Sequence, residues 1–263
     1  MKGLAIFAAL LLTLPAGAQE FAARSSVGAE VKLARGLRLG VQEEVRIGDG
    51  LSALDDVRST LDLSYKLNRY VKFSGGYTLI NPYSQSASGF ADPRHRLFFA
   101  ITGTYRLGDF QFSLREKLQY THRSDVNIYQ TPPDAFALKS RIGLKYKGIR
   151  HWEPFGYFEL RTALNESWGQ VTGGIQTTKK KEKDYYAFTH TGYTNIYNDR
   201  FRFNIGTDWN PAKRHTLRFH VLADYISKLK LDTNSDGTRL FIDTTGWENT
   251  FRLSFCLGYK DSF

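Results

Sequence analysis

Apolar and polar residues alternate one by one along most of this chain. A period of two places successive side chains on opposite faces of a β-strand. In the segment 250–260, TFRLSFCLGYK, large apolar residues occupy the odd positions from 251 to 259, and polar or small residues occupy the even ones. The alternation predicts ten strands, with a shorter candidate at 27–33: 37–47, 58–67, 71–79, 96–107, 110–120, 138–147, 154–164, 200–209, 216–225 and 250–260.

The links between these strands alternate in length, as in outer-membrane barrels, which have short periplasmic turns and long outer loops. We therefore predict an all-β fold, a single antiparallel up-and-down transmembrane β-barrel of about 10–12 strands. An even number of strands is reached in one of two ways. The barrel has ten strands if 27–33 is a periplasmic or plug segment, and twelve if 185–198 holds a further strand. The short links are 68–69, 108–109, 148–153 and 210–214, and the long ones are 81–94, 122–136, 165–184 and 227–246.

Alternation does not distinguish a soluble barrel with an apolar interior from a membrane barrel with an apolar exterior. Strands of about ten residues favour the membrane, because a tilted strand of that length crosses the bilayer. A final strand that ends in Phe263 resembles the signal read by the barrel-assembly machinery. Aromatic residues near strand ends match the interfacial girdles of membrane barrels: Tyr77, Tyr105, Tyr120, Tyr146, Trp209 and Tyr225.

The amino-terminal eighteen residues have the three parts of a secretory signal peptide. Lys2 supplies the charge, residues 3–14 are apolar, and Ala16-Gly17-Ala18 is a small-residue cleavage site. The apolar run is too short to cross a bilayer, which needs roughly 20 residues. We expect residues 1–18 to be a signal peptide and 19–263 to be one barrel domain in the outer membrane of a Gram-negative bacterium. Periplasmic chaperones and the barrel-assembly machinery are then its expected partners.

Basic residues exceed acidic ones, with 36 Lys and Arg against 26 Asp and Glu. Such an excess often marks nucleic-acid binding, but here the charges occupy every second position of exported strands, so we predict a polar barrel face and no nucleic-acid partner. The single cysteine, Cys256, permits no intrachain disulfide. We find no metal-spaced His/Cys cluster and no phosphate loop, and therefore predict neither metal nor cofactor. The oligomeric state has no signature in the sequence.

The polar face of the strands is rich in basic side chains. A barrel of this size has a lumen largely filled by side chains, so these charges form either a mutually hydrogen-bonded plug or a narrow anion-preferring, porin-like pore for small solutes. The lumen-facing candidates are Glu44, Arg46, Arg96, Arg115, Glu116, Arg141, Glu159 and Arg161.

Two acidic residues break the alternation, since Glu43 and Glu116 fall on the apolar phase of their strands. A carboxylate that faces lipid is costly near the bilayer midplane. A β-bulge adds one residue and turns the side chain to the other face. We therefore expect Glu116 to point into the lumen or to lie near the interface.

The segment 92–124, DPRHRLFFAITGTYRLGDFQFSLREKLQYTHRS, resembles the central hairpin of the domain-of-unknown-function 2490 family. The upstream hairpin LDLSYKLNRYVKFSGGYTLI and the closing FRLSFCLGYKDSF also fit. The resemblance implies an exported outer-membrane barrel without a settled activity. Asp261-Ser262 before the final residue depart from the family pattern. The expected assembly signal comprises Phe251, Phe255, Leu257, Tyr259 and Phe263.

A lipid-modifying enzyme is the rival class, and it needs a nucleophile beside an oriented base. The alternation along the strands places no histidine beside a serine on the apolar face. We therefore predict no catalytic residue and no enzymatic activity. A basic run in a long loop is either a solvated tip or a contact for lipopolysaccharide phosphates in the outer-membrane lipid. It comprises Lys179, Lys180, Lys181 and Lys183, and the histidines are His95, His122, His151, His190, His215 and His220.

Overall fold

A computed structural model describes residues 19–124, 126–129, 131–172, 186–235 and 240–263. These residues form β-strands almost throughout, and none of their helical segments is long and apolar enough to cross a membrane. A short 3₁₀ turn follows the second strand. The strands are β1 (Gln19–Ala34), β2 (Leu37–Gly48), β3 (Ala53–Lys66), β4 (Val71–Ser84), β5 (Gly89–Phe90), β6 (Arg94–Leu107), β7 (Phe110–His122), β8 (Asp134–Tyr146), β9 (Trp152–Thr172), β10 (Tyr186–Trp209), β11 (His215–Ser235) and β12 (Leu240–Ser262).

Eleven of these strands close into one β-barrel, and β5 is a two-residue addition to the edge of β4. Neighbouring strands pair antiparallel around the wall, which confirms the predicted all-β antiparallel barrel and its range of strand numbers. The exception is the seam, where β1 and β12 run parallel from Gln19 opposite Phe251 to Glu30 opposite Ser262. An odd number of strands requires this, because the first and last strands then point the same way.

Both proposed routes to an even strand number are therefore wrong. Residues 27–33 belong to β1, a full strand of the wall, and 186–198 belong to the long β10. The alternation in β1 is weak because its inner face carries small residues such as Ala22, Ser26 and Gly28. In β10 several register shifts between His190 and Arg200 interrupt the period without interrupting the strand.

The apolar face of the wall points outward and the polar face points inward. Phe99 and Ile142 are 51% and 65% exposed, whereas Asn204 and Asp224 are 0% and 1% exposed. This is the reverse of a soluble barrel, whose large apolar side chains fill the interior. Among the two arrangements that alternation allows, the structure has the one with an apolar exterior.

The two ends of the barrel differ, but two of the predicted long links are largely strand, because 165–172 belongs to β9 and 227–235 and 240–246 belong to β11 and β12. We call the end with the links 35–36, 67–70, 108–109, 147–151 and 210–214 the turn rim, and the opposite end the loop rim. Left-handed backbone at Gly36 (φ 81°) and Gly108 (φ 58°) closes two of the tight turns. The loop rim carries 49–52, 85–93 and 123–133. Strands β9 to β12 have 21 to 24 residues, against 12 to 14 in β2 to β4 and β6 to β8.

Candidate functional site

Strand register places a row of charged side chains around the inside of the barrel. Arg115 on β7 lies opposite Arg141 on β8, and Arg141 lies opposite Glu159 on β9. The row continues through each neighbouring strand to β1, because residues that pair across strands project to the same face. In order around the wall it comprises Arg115, Arg141, Glu159, Arg202, Asp224, Arg252 and Glu20.

Glu159 is the acidic centre of this charged row. Its Oε2 accepts hydrogen bonds from Arg141 at 2.8 and 2.6 Å and from Arg115 at 3.0 Å. A guanidinium nitrogen of Arg202 lies 3.5 Å from the other carboxylate oxygen, Oε1. With only 2% of Glu159 exposed, three guanidinium groups converge on one carboxylate away from bulk water.

Asp224 forms the second strong interior pair. Arg202 donates to both of its carboxylate oxygens, at 2.5 and 2.8 Å, in the bidentate geometry that guanidinium groups favour. Arg24 on β1 reaches the same carboxylate at 3.5 Å, past the intervening strand β12. Arg202 therefore bridges the two acidic centres, and the contact from Arg24 ties β1 to β11, two strands along the wall.

Two further clusters of ion pairs lie inside the barrel. Near the loop rim, Arg58 donates to both oxygens of Asp56 at 2.6 Å, and Arg46 pairs with Glu44. Toward the turn rim, Asp208 accepts from Arg218 at 2.6 and 2.9 Å and from Lys145 at 2.7 Å. The acidic side chains in these clusters each have a basic partner from their own or a neighbouring strand.

The interior still contains open space. A cavity of about 400 Å³ lies toward the loop rim, where Arg123 and Thr131 reach it, and we call it the loop-side cavity. A second cavity of about 410 Å³, the central cavity, lies on its turn-rim side. Five basic side chains line both cavities and so form a cationic ring between them: Arg46, Arg58, Arg96, Lys139 and Arg202.

Residues 25–177 of the chain match a family described as a protein of unknown function, DUF2490. The match covers more than half of the chain, from β1 into β9 and beyond it. The chain belongs to the DUF2490 family. No curated protein matches its sequence. In this DUF2490 barrel the matched part supplies Arg46, Arg58, Arg96 and Lys139 of the cationic ring, and Arg202 comes from outside it.

Most of the predicted lumenal side chains of this DUF2490 barrel lie on the inner face, where they belong to the clusters described above. Arg161 pairs with Asp199, and Arg96 donates to Thr121 at 3.0 Å. The sequence prediction did not include Arg24, because the strand candidate in this region began only at residue 27. It also did not include Arg200, which is the first residue of the predicted strand 200–209 and has the same phase as Arg202. The odd-numbered residues of β1 point outward. Continuing this alternation back to Phe21 places Arg24 on the inner face.

Glu116 does not point into the lumen, so the expected bulge is wrong. The register of β7 against β6 and β8 is unbroken, and Glu116 lies exposed on the outer face. Ser140 Oγ on the neighbouring strand donates to its carboxylate at 2.6 Å. Glu43 has the same arrangement, with Ser59 Oγ donating at 2.8 Å. A neighbouring serine satisfies each carboxylate and leaves the ladder of backbone hydrogen bonds intact.

The residues of the predicted assembly signal lie on β12 and at its end, beside β1 in this family member, and their role in assembly stays a prediction. Phe255, Leu257 and Tyr259 point outward on β12, and the main chain of Phe263 exchanges hydrogen bonds with β1, donating to Glu30 and accepting from Lys32. The loop residues Lys179, Lys180, Lys181 and Lys183 lie outside the described residues, as does the predicted signal peptide 1–18. Among the described residues no group of three or more His, Cys, Asp and Glu is arranged to hold a metal ion.

Two histidines come closest to the base that an enzyme of this class needs. His122 Nδ1 lies 2.8 Å from Asp134 at the loop rim, but the nearby Ser124 donates to Asp92 at 3.0 Å. His190 Nε2 lies 3.1 Å from Ser167 Oγ, which is 2% exposed and donates to the carbonyl of Tyr129. The absence of enzymatic activity stays a prediction.

Proposed function

We propose that this protein resides in the outer membrane, after export by a cleaved signal peptide, as a barrel whose lumen is closed by ion pairs. The arrangement that carries the proposal is an apolar exterior around an ion-paired interior. A wall that exposes large apolar side chains on all sides is stable in lipid, while every backbone polar group is satisfied by a closed ladder. The fold thus suits a bilayer and is poorly suited to water.

Aromatic pairs near both rims support this placement. Phe110 and Tyr146 contact near the turn rim with ring centroids 5.0 Å apart, and Tyr120 and Phe136 contact near the loop rim at 5.2 Å. Such rings favour the lipid–water interfaces. Along β7 the two levels are separated by about the 9–11 residues that a tilted strand needs to cross a bilayer. By the length of its links, the turn rim faces the periplasm.

The charged row from Arg115 to Glu20 is the basis for a closed lumen. It links neighbouring strands along the inner face of the wall, and its central members Glu159 and Asp224 are 2% and 1% exposed. Side chains largely fill the lumen of a barrel of this size, so solute passage along the axis would require these pairs to separate, which leaves charges without partners in a confined space. We therefore propose a structural, plugged barrel in its resting state.

The test is conductance in planar lipid bilayers by the purified, refolded mature protein, with heat-modifiable gel mobility to show that the barrel has formed. We expect a folded barrel that shows no stable current steps. Stable steps from the folded form would contradict the closed lumen, and failure to acquire heat-modifiable mobility in lipid would contradict the membrane placement.

A narrow anion-preferring pore is the second candidate, and the cationic ring favours it. Five basic side chains stand between two cavities along the axis, and rings of Arg and Lys select anions. This function predicts current whose reversal potential shows anion preference. Arg96→Glu would reduce that preference, whereas Arg35→Glu at the turn rim serves as a control with the same change of charge.

A further inference from the structure

The loop-side cavity has far more positive than negative side chains. Its described lining contains ten arginines and two lysines against four carboxylates, and its volume is about 400 Å³. The central cavity has eight basic side chains against the three carboxylates Glu44, Asp62 and Glu159. The excess of positive side chains is therefore larger in the part of the interior nearest the loop rim, eight against five.

Some of these cations are neutralised within the protein and some are not. Arg58, Arg161 and Arg202 pair with Asp56, Asp199 and Asp224 respectively. In the part of the chain that the structure describes, by contrast, no carboxylate lies within ion-pair distance of the three cations Arg96, Lys139 and Arg200. The hydrogen bond of Arg96 goes to a neutral threonine hydroxyl, and Arg200 Nε is buried without a hydrogen-bond partner.

We propose that the loop-side cavity binds a multivalent oxyanion of the phosphate class, with Arg96, Lys139 and Arg200 providing the counter-charge. Cations that are withdrawn from water and lack partners raise the free energy of the empty site, and a bound anion relieves that cost. Guanidinium groups match the geometry of phosphate oxygens through paired N–H donors. A monovalent halide would neutralise only one of the three charges.

The size of the cavity agrees with a small ligand. Pockets for small molecules have volumes of about 300–1,000 Å³, so a cavity of about 400 Å³ admits a phosphate or a diphosphate group with part of its carrier. Arg96, Lys139 and Arg200 come from β6, β8 and β10, which are alternate strands of the wall. The wall itself thus supplies a cationic lining that does not depend on one loop.

The test is calorimetric titration of the refolded barrel in an uncharged detergent with pyrophosphate and with inorganic phosphate. We expect the wild-type protein to bind pyrophosphate more tightly than phosphate. Arg96→Gln and Arg200→Gln should each weaken binding about tenfold, because each loses a charge-assisted hydrogen bond. Arg35→Gln, in a turn at the opposite rim, should bind as the wild type does. No binding by the wild type, or equal binding by the Arg96→Gln/Arg200→Gln double variant, would overturn the proposal.

Thermal unfolding separates loss of the site from loss of the fold. Without anion, Lys139→Met should be at least as stable as the wild type, because it removes a charge that has no partner. Pyrophosphate should raise the unfolding temperature of the wild type more than that of Lys139→Met. An equal rise in both proteins would contradict the assignment of Lys139 to the site.

Free phosphates and phosphorylated lipid headgroups share this chemistry, and competition distinguishes them. Micelles of the same uncharged detergent, with and without lipid A, are added to the pyrophosphate titration. Competition that Arg96→Gln abolishes would identify a headgroup as the ligand, and no competition would identify a soluble anion. Because binding is measured in detergent, its outcome is separate from that of the conductance test of the closed lumen.

Discussion

At the scale of single residues, Glu159 is an interior carboxylate on which three guanidinium groups converge. Arg115 and Arg141 donate to it, and a guanidinium nitrogen of Arg202 lies 3.5 Å away. An interior acid with several basic partners is less replaceable than a surface acid, because its loss leaves multiple cations facing one another.

Glu159→Gln should therefore destabilise the barrel by about 3–5 kcal/mol, the cost of breaking a buried ion pair by removing one partner. The measurement is urea-induced unfolding in lipid vesicles, followed by tryptophan fluorescence. Glu248→Gln, an exposed acid on β12, is the matched control and should change the stability little. A stability close to that of the wild type would show that the cations around Glu159 have other partners.

The outward Glu116 supports the opposite prediction. Its carboxylate lies exposed on an otherwise apolar face, where its described hydrogen bond comes from Ser140. In a bilayer, Glu116→Leu should raise the free energy of unfolding by about 1–2 kcal/mol, since it removes the cost of a lipid-facing carboxylate. Unfolding in vesicles is compared with that of Glu116→Gln, which keeps a hydrogen-bonding group and should gain less. A lower stability of Glu116→Leu would indicate a polar partner at this position.

At the scale of the strands, the parallel seam is the feature that sequence patterns cannot reveal. The alternation of apolar and polar residues locates a strand and its two faces. It therefore predicted most strands of the wall and most of the charged side chains that point inward. It carries no information on which edge strands meet. The register shifts of β10 hide the part of that strand before Arg200, and the small inner residues of β1 hide the part of that strand before residue 27. The pairing of acids with bases follows from register, which only the closed sheet defines.

The seam is testable by cross-linking. Ala23 lies opposite Phe255 in the parallel register, and paired strands bring Cα atoms within the 4.4–6.8 Å that a disulfide requires. In a Cys256→Ser background, Ala23→Cys/Phe255→Cys should form a disulfide that increases gel mobility under non-reducing conditions. Ala23→Cys/Phe251→Cys, displaced by four residues, should not. Efficient cross-linking of the displaced pair alone would contradict the eleven-stranded closure.

At the scale of the whole molecule, the two rims present different surfaces. The turn rim has tight links, and the loop rim has longer segments and the basic loop-side cavity beneath them. The proposed placement therefore gives the protein a defined orientation, in which the cationic interior opens toward the cell exterior.

This orientation predicts which positions a membrane-impermeant maleimide reaches on intact cells. In a Cys256→Ser background, Ser86→Cys in the loop 85–93 should be labelled. Lys213→Cys in the turn 210–214 should be labelled only after the outer membrane is permeabilised. Both side chains are exposed, so accessibility to solvent within the fold is matched. Labelling of Lys213→Cys alone on intact cells would reverse the orientation.

The ion pair between Arg252 and Glu20 joins residues that are 232 positions apart in the chain. Most other neighbouring strands in the wall are successive in the chain and can pair soon after both have been synthesised. Arg252 and Glu20 can pair only when nearly the entire chain has been synthesised. Contacts of such long sequence separation carry the greatest loop-closure entropy and form slowly. The folding barrel should therefore pass through an open sheet with two bare edges, β1 and β12. That open sheet is the species most prone to aggregation, and a chaperone has to protect it until the barrel closes.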